Sequence, residues 1–433
     1  MIDLSKIDAA LVDGRIKGMP GGMKPTALGD IGRQGWNLKR GDLPLPVAVL
    51  RQDVLDYNSR WMRSFLTASG ARLAPHGKTT MSPHLFKRQI DEGAWAITIG
   101  SVQQLQAIRH SGVARVILAN QIVGAQALRY VVEEVNRDPA FDFYALVDST
   151  AGVQALLETA RQAGSRRPLQ LLVEGGIAGG RTGARTLDDA MAVARAVKAA
   201  EPYLSLRGIE GYEGVLRGAD EAESESLVRH FLQYLAQLAD RCAEEGLFSP
   251  QPVIISAGGS SFYDLVVEQL GRRFTFEHVL VLRSGCYLTH DSGAYQARFQ
   301  RLKQRTVLPS ALTDGPQPAL EIWAYVQSRP EPNKAILGMG RRDVGFDAGL
   351  PRPLKWCRPG ASDRECGLLN EEHRVTTLND QHCHMILPGT SPIQVGDMVG
   401  FGISHPCTTF DKWQVLCVVN EAYDVVSAIR TFF

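Results

Sequence analysis

Eight repeats of one pattern constrain the fold of this chain more than any other feature of its sequence. From about residue 70, a short apolar run is followed by a polar or glycine-containing turn and then by a longer stretch with helical apolar spacing. Strands that alternate with crossover helices run parallel in one sheet. The eight predicted strands are residues 71–75, 94–99, 115–120, 143–147, 169–173, 206–210, 252–256 and 278–282.

The even spacing of these units favours a closed barrel over an open sheet. The connections are similar in length, and no glycine-rich dinucleotide fingerprint follows the first strand. The predicted fold class is therefore α/β with a (β/α)8 TIM-type barrel. A doubly wound sheet is the alternative.

The pattern changes after about residue 300, where strand-like runs are broken by proline and glycine without long helical stretches between them. This indicates an all-β C-terminal domain. We predict an N-terminal extension at 1–45, a barrel domain at 46–298 and a β-domain at 299–433. The β-domain contains an irregular insertion at 340–372, and the extension is expected to pack on the β-domain or on a partner subunit.

Composition narrows the class of partner. The chain has 433 residues and a formal net charge of +1, so it has no strong electrostatic field that would attract nucleic acid or anionic lipid. No apolar run reaches the roughly 18 residues of a membrane span, and the charged first residues lack the apolar core of a signal peptide. We expect a cytoplasmic protein with a small-molecule partner.

The cysteines predict reduced thiols. Their number is odd and their spacing scattered, which does not indicate a disulfide framework and fits a reducing compartment. Five of the seven follow residue 350, which leaves metal chemistry open there. They are Cys242, Cys286, Cys357, Cys366, Cys383, Cys407 and Cys417.

Polar residues directly follow three predicted barrel strands, where active sites of such barrels lie. Strand one is followed by His76-Gly77-Lys78, which is either a functional lysine at the barrel mouth or a surface lysine. Strands seven and eight end in loops of small residues, Ser256 to Ser261 and Ser284-Gly285, which suit a phosphate or form ordinary turns. An amine beside a phosphate cradle points to pyridoxal phosphate (PLP), whose aldehyde needs an amine.

Several segments resemble one enzyme family. LAPHGKTTMSPHLFKRQIDEGAWAITIGSVQQLQ is similar to the lysine-bearing strand of fold-type III PLP enzymes, specifically the D-serine dehydratase and D-threonine aldolase family. VEGGIAGGRTGAR, GIEGYEGV, ISAGGSSFYD and RSGCYLTHD resemble its strand-five, strand-six, phosphate-loop and strand-eight motifs, and GISHPCTTFDKW resembles its metal motif. The resemblance implies an alanine racemase-like barrel with a C-terminal β-domain, and a homodimer.

The resemblance also implies roles at the barrel mouth. Lys78 would form the Schiff base with PLP and act as the base at the substrate Cα. Arg181 and Tyr212 would line the cofactor, while Thr182 and His76 would support it or simply be polar residues of the barrel mouth. The phosphate would be held by Ser256, Gly258, Gly259, Ser284 and Gly285.

His405 and Cys407 form a candidate metal pair. On an extended segment their spacing places both side chains on one face, and imidazole with thiolate suits Zn²⁺. On residue type alone, a structural histidine and a buried cysteine are the commoner case. The resemblance implies zinc instead, with His-x-Cys typical of the dehydratases where many aldolases have His-x-Asp. His382 and His384 could supply rival ligands from the same domain. Asp380-Gln381-His382 departs from the Glu-Glu-His of the family, and we predict that His382 lines the active site rather than binding the metal.

Taken together, the resemblance implies a PLP- and Zn²⁺-dependent dehydratase that converts D-serine or a related β-hydroxy D-amino acid to a 2-oxo acid and ammonia. The main alternative is an aldolase that releases glycine and an aldehyde. A racemase would need a second acid or base opposite Lys78. A non-catalytic PLP-binding protein and a PLP-free Schiff-base aldolase remain further alternatives.

Overall fold

The structure is a computed structural model that describes residues 2–249, 252–271, 274–360 and 366–433. It divides into two units. The barrel unit comprises Arg63–Lys78 and Gln89–Gly285, and the sheet unit comprises Ile2–Met62, Thr79–Arg88 and Cys286–Phe433.

The described residues form strands and helices with the following bounds. The strands are β1 (Leu11–Val12), β2 (Thr26–Ala27), β3 (Val47–Arg51), β4 (Arg72–Leu73), β5 (Ile97–Ile99), β6 (Arg115–Gln121), β7 (Asp142–Val147), β8 (Leu169–Gly175), β9 (Leu204–Gly211), β10 (Val253–Ala257), β11 (His278–Leu282), β12 (Leu320–Glu331), β13 (Lys334–Leu337), β14 (Arg352–Cys357), β15 (Cys366–Leu368), β16 (Arg374–Leu378), β17 (Cys383–Ile386), β18 (Met398–Gly402), β19 (Val415–Val419) and β20 (Val425–Arg430). The α-helices are α1 (Ser5–Asp8), α2 (Gln52–Ser69), α3 (Pro83–Asp91), α4 (Val102–His110), α5 (Ala125–Arg137), α6 (Thr150–Gln162), α7 (Leu187–Ala199), α8 (Glu221–Glu244), α9 (Tyr263–Leu270), α10 (Ala294–Arg305) and α11 (Cys407–Phe410).

The eight predicted barrel strands form one parallel sheet in the order β4-β11-β10-β9-β8-β7-β6-β5. A parallel bridge between His76 and Thr98 joins the first strand to the last, and the Thr98 amide donates to the Pro75 carbonyl at 3.0 Å. The sheet therefore closes into a barrel, as predicted.

Alternate strand residues fill the barrel. Side chains on alternate positions of a strand point to opposite faces, so each strand sends one set inward and one set towards the helices. The inward cluster is apolar and buried and includes Ala74, Ile117, Tyr144, Leu172, Ile254 and Val281. Three barrel helices have N-cap residues whose side chains accept a hydrogen bond from a backbone N–H group of the first turn. These residues are Ser149 before α6, Thr186 before α7 and Asp220 before α8.

The sheet unit contains a mostly antiparallel sheet in the order β15-β14-β18-β12-β13-β17-β16, to which β3, β19 and β20 add. β3 pairs antiparallel with β12 and parallel with β19. This strand begins at Val47, directly after residue 46, which is the predicted start of the barrel domain. The predicted domain boundaries stay a prediction, but Val47–Arg51 lies in the second sheet. The prediction of a barrel followed by an all-β domain is confirmed.

One disulfide differs from the sequence-based expectation of reduced thiols. Cys357 and Cys366 lie opposite each other on β14 and β15 and are joined. Antiparallel pairing brings residues nine positions apart together within the predicted insertion, where spacing alone gave no such signal. Residues 361–365 of that insertion lie outside the described residues. In the described part of the chain, no helix is both long and apolar enough to cross a membrane.

Candidate active site

Lys78 and His76 follow β4 at the mouth of the barrel. Lys78 lies on the short 3-10 turn Gly77–Thr79 and its side chain is exposed. The Nδ1 atom of His76 is buried without a hydrogen-bond partner among the described residues. Burial, followed by the charges of Lys78, Arg283 and Arg181, lowers the pKa of His76 well below its usual range. The imidazole is therefore neutral at physiological pH and able to bind a polar group.

A buried arginine–glutamate pair that was not predicted from the sequence lies beside them. The buried Arg283 guanidinium pairs with Glu210 and donates to Ser256 Oγ at 3.0 Å and to the Gly211 carbonyl at 3.1 Å. Burial raises the pKa of Glu210 to about 8, and the Glu174 and Glu213 carboxylates add to this, although Arg283 opposes it. Both residues of the pair end a barrel strand or directly follow it, which was the available sequence signal.

The residues predicted to hold phosphate lie together, with their polar groups engaged within the protein. The amides of Gly258 and Gly259 donate to the Glu213 carboxylate at 3.0 and 2.8 Å. Ser284 Oγ donates to the Gly259 carbonyl at 2.8 Å, and Gly285 follows it directly. Gly258 has φ +87°, where glycine is favoured. Phosphate binding by these two loops stays a prediction.

Arg181, Thr182 and Tyr212 lie near one another. The Arg181 guanidinium stacks on the Tyr212 ring with its Cζ 4.8 Å from the centroid. Thr182 Oγ1 donates to Glu174 at 2.8 Å, and Gln121 donates to the same carboxylate. A small cavity of about 20 Å³ is lined by Glu174, Arg181, Thr182 and Tyr212, and by Gly176, Ile177, Leu216 and Phe231, among others.

The barrel mouth fits a polar cofactor. His76 Nδ1 and Glu210 Oε2 are both buried and have no partner in the described residues. Buried polar atoms are nearly always hydrogen-bonded, so two unsatisfied atoms beside an exposed amine indicate a place for a polar molecule. Their donors and acceptors, with Lys78, are compatible with PLP.

The predicted metal pair lies in the sheet unit, in a cluster with a second thiol. Cys407 Sγ is 3.9 Å from Cys286 Sγ and 3.5 Å from Thr79 Oγ1. Cys286 Sγ is in turn 3.8 Å from Thr79 Oγ1. Cys286 belongs to the strand-eight motif RSGCYLTHD but was not predicted to lie at this site.

The carboxylate of Asp347 holds the imidazole of His405. Its Nδ1 lies 2.6 Å from Asp347 Oδ2, and Thr408 donates to the other oxygen of that carboxylate at 2.7 Å. A hydrogen bond with Cys407, supported by Asp347, raises the pKa of His405 to about 9. Hydrogen bonds with Cys286, His405 and Thr79 outweigh burial and lower the pKa of Cys407 to about 4. At neutral pH these values describe an imidazolium–thiolate pair, and thiolate and imidazole become a donor set suited to Zn²⁺ once a metal displaces the imidazolium proton.

The rival histidines are elsewhere on the sheet. His382 is exposed, and His384 Nε2 contacts Asn379 Oδ1 at 2.8 Å. Across the described ranges, no three His, Cys, Asp or Glu side chains are already arranged around one point as a metal site. The two residues of the predicted pair thus lie together, while binding of zinc by them stays a prediction.

Comparisons with known proteins agree with the resemblance in the sequence. Residues 319–419, which include His405 and Cys407, match a family model described as "Putative serine dehydratase domain". The D-threonine aldolase of Arthrobacter sp. is 25% identical over 382 residues, which cover 87% of this chain and 89% of that protein.

Solved structures agree on the fold. The D-threonine aldolase from Filomicrobium marinum superposes with a TM-score of 0.72 and 21% identity, covering 92% of this chain and 97% of that one. The alanine racemase from Bacillus anthracis superposes with a TM-score of 0.56 and 13% identity, covering 89% and 97%. The predicted alanine racemase-like architecture is confirmed.

Proposed function

Because the chain belongs to the D-serine dehydratase and D-threonine aldolase family, we propose that it is a PLP-dependent lyase that dehydrates D-serine or a related β-hydroxy D-amino acid. The products would be a 2-oxo acid and ammonia. The observation that carries the proposal is the exposed Lys78 amine next to the buried, unpartnered Nδ1 of His76.

Lys78 has two tasks in this proposal. Its Nζ would hold the cofactor through the aldehyde and would act as the base that takes the proton from the substrate Cα. PLP, when bound, supplies the electron sink that makes loss of this proton possible. The stacked Arg181 and Tyr212 would line the cofactor, and His76 would contribute one hydrogen bond through its unpartnered nitrogen.

The phosphate group would lie at the loops after β10 and β11. The predicted residues there are Ser256, Gly258, Gly259, Ser284 and Gly285. The amides of Gly258 and Gly259 bind the Glu213 carboxylate, so Glu213 holds the loop in a fixed shape from its buried side. Hydrogen bonds to the phosphate then come from the remaining polar groups of the two loops.

His405 and Cys407 are the proposed zinc ligands. Zinc supplies a Lewis acid for the β-hydroxyl, which is otherwise a poor leaving group. The protein holds the sulfur as a thiolate through hydrogen bonds and fixes the imidazole through Asp347. These contacts support metal binding because a ligand histidine commonly donates its second N–H to a carboxylate.

The second candidate function is an aldolase that cleaves the Cα–Cβ bond to give glycine and an aldehyde. It is favoured by the similarity to the D-threonine aldolase of Arthrobacter, which covers 87% of the chain. The dehydratase is favoured by the family model over 319–419 and by Cys407 in the His-x-Cys pattern.

The test is turnover of D-serine, D-threonine and 3-hydroxyaspartate, with and without a chelator. A dehydratase releases ammonia and a 2-oxo acid in equal amounts, and we expect chelation to abolish turnover. Release of glycine and an aldehyde would assign the aldolase. Full activity after chelation would exclude the metal, and bound PLP with no turnover of any D-amino acid would favour a PLP-binding protein without catalysis.

The Lys78→Ala variant tests the cofactor link directly. We expect it to lose the visible absorbance of lysine-bound PLP and all measurable turnover, because alanine has no amine that can form a Schiff base with the PLP aldehyde. The exposed Lys24 offers a matched control, and Lys24→Ala should retain both signals. A variant lacking Lys78 that still shows lysine-bound PLP would overturn the assignment.

A further inference from the structure

The cluster around Cys407 contains one sulfur more than the proposed function uses. Cys286 begins the part of the sheet unit that follows the last barrel strand, and its side chain is buried, with 4% of the residue exposed. Its Sγ lies 3.9 Å from that of Cys407. Neither cysteine takes part in a disulfide.

The separation of the two sulfurs matches a shared metal ion. A disulfide requires about 2.05 Å between sulfurs, far below the observed distance. Two thiolates on a tetrahedral zinc ion, each with a bond of about 2.3 Å, lie roughly 3.8 Å apart. The two sulfurs form an S–H···S contact of 3.9 Å, and this separation also suits one ion bound by both of them.

The number of ligands leads to the same conclusion. Catalytic zinc sites usually take about three protein ligands and keep one position open. His405 and Cys407 provide two, and Cys286 is a further soft donor in direct contact with Cys407. We propose that Cys286 is a third protein ligand of this zinc ion, so that two thiolates and one imidazole hold it. This inference rests on the zinc site of the proposed function.

The three side chains contact each other in sequence, Cys286 to Cys407 and Cys407 to His405, and are not yet grouped around one point. Asp347 binds the Nδ1 side of His405, which leaves Nε2 for the metal. Thr79 contacts both sulfurs through its hydroxyl and keeps them together.

The experiment uses the full-length, PLP-loaded protein in which Co²⁺ replaces zinc. Each thiolate bound to Co²⁺ contributes charge-transfer absorbance, so we expect Cys286→Ala to retain about half of the wild-type intensity and to bind the metal at least about tenfold more weakly. The matched control is Cys242→Ala, since Cys242 is a buried thiol on α8 that contacts Met191. It should show full intensity and unchanged affinity.

The possible results separate the proposed third ligand from the proposed zinc site itself. Undiminished absorbance and affinity in Cys286→Ala would overturn the third ligand while the proposed zinc site stands. Failure of the wild-type protein to bind Co²⁺ or Zn²⁺ would overturn both. Should the variant not fold, X-ray absorption of the wild-type zinc form counts the sulfur ligands directly. Two sulfurs support the proposal, and one sulfur refutes it.

Discussion

Charged residues at the barrel mouth act on each other through low dielectric surroundings. Arg283, Glu210 and Glu213 are all buried. Glu213 and Arg283 bind the loop after β10, and Glu210 pairs with Arg283. These residues were not predicted because a sequence does not tell which charges after different strands face the same point. The lysine was predicted because a single residue at the end of a strand carries its own chemistry.

The raised pKa of Glu210 predicts a pH effect on stability. Between its ordinary value of 4.5 and about 8, the folded protein keeps a proton that the unfolded chain releases. The free energy of unfolding therefore falls as pH rises through this range, by about 1 kcal/mol per pH unit from this group. Glu210→Gln should remove the contribution, which urea unfolding at pH 5.5, 6.5 and 7.5 measures.

The control is Glu133→Gln, because Glu133 is exposed on α5. Its stability should follow the wild-type pH dependence. If the free energies of unfolding of the wild type and of Glu210→Gln show the same dependence on pH, Glu210 is ionised throughout the range. The prediction of a raised pKa for Glu210 would then be wrong.

Among the elements, those with local signals were predicted and those that depend on distant pairing were not. The barrel strands are short buried runs between helices, so their positions follow from periodicity. The apolar run at Val47–Arg51 looks the same, yet it pairs with β12 and β19, more than 250 residues further along the chain. The pairing of Cys357 with Cys366 likewise depends on the register of β14 and β15.

The loop after β10 predicts a specific effect of an added methyl group. A Cβ at Gly259 would lie 2.7 Å from Cε2 of Tyr212, too close for both to stay in place. Because Tyr212 is proposed to line the cofactor, Gly259→Ala should weaken PLP binding about tenfold, in line with the roughly 1–3 kcal/mol that overpacking costs. PLP titration followed by absorbance measures this.

The control is Gly22→Ala, where the added Cβ would meet no atom within 4 Å. Its PLP affinity should equal that of the wild type. An unchanged affinity in Gly259→Ala, with unfolding also unchanged, would show that Tyr212 does not need its present position to bind the cofactor.

At the scale of the whole chain, the two ends belong to one unit. The 3-10 helix Leu28–Arg33 lies within the N-terminal segment predicted as an extension, and Leu28 and Ile31 share a core cluster with Val49, Trp323 and Val425. Residues from the beginning, middle and end of the sequence thus build one hydrophobic core. Such a core cannot be recognised from local patterns, because its members are hundreds of positions apart.

This shared core predicts that the N-terminal segment is needed for stability. Ile31 is fully buried, so Ile31→Ala should lower the free energy of unfolding of the whole protein by about 2–5 kcal/mol through lost burial and a new cavity. Leu11 lies in the same segment but is 67% exposed. Leu11→Ala should therefore change the free energy of unfolding by less than about 0.5 kcal/mol. Chemical unfolding followed by circular dichroism compares the two. If both variants lower the free energy of unfolding equally, burial of Ile31 contributes little to this core. The rest of the core, which includes Val49 and Val425, is then stable without the N-terminal segment.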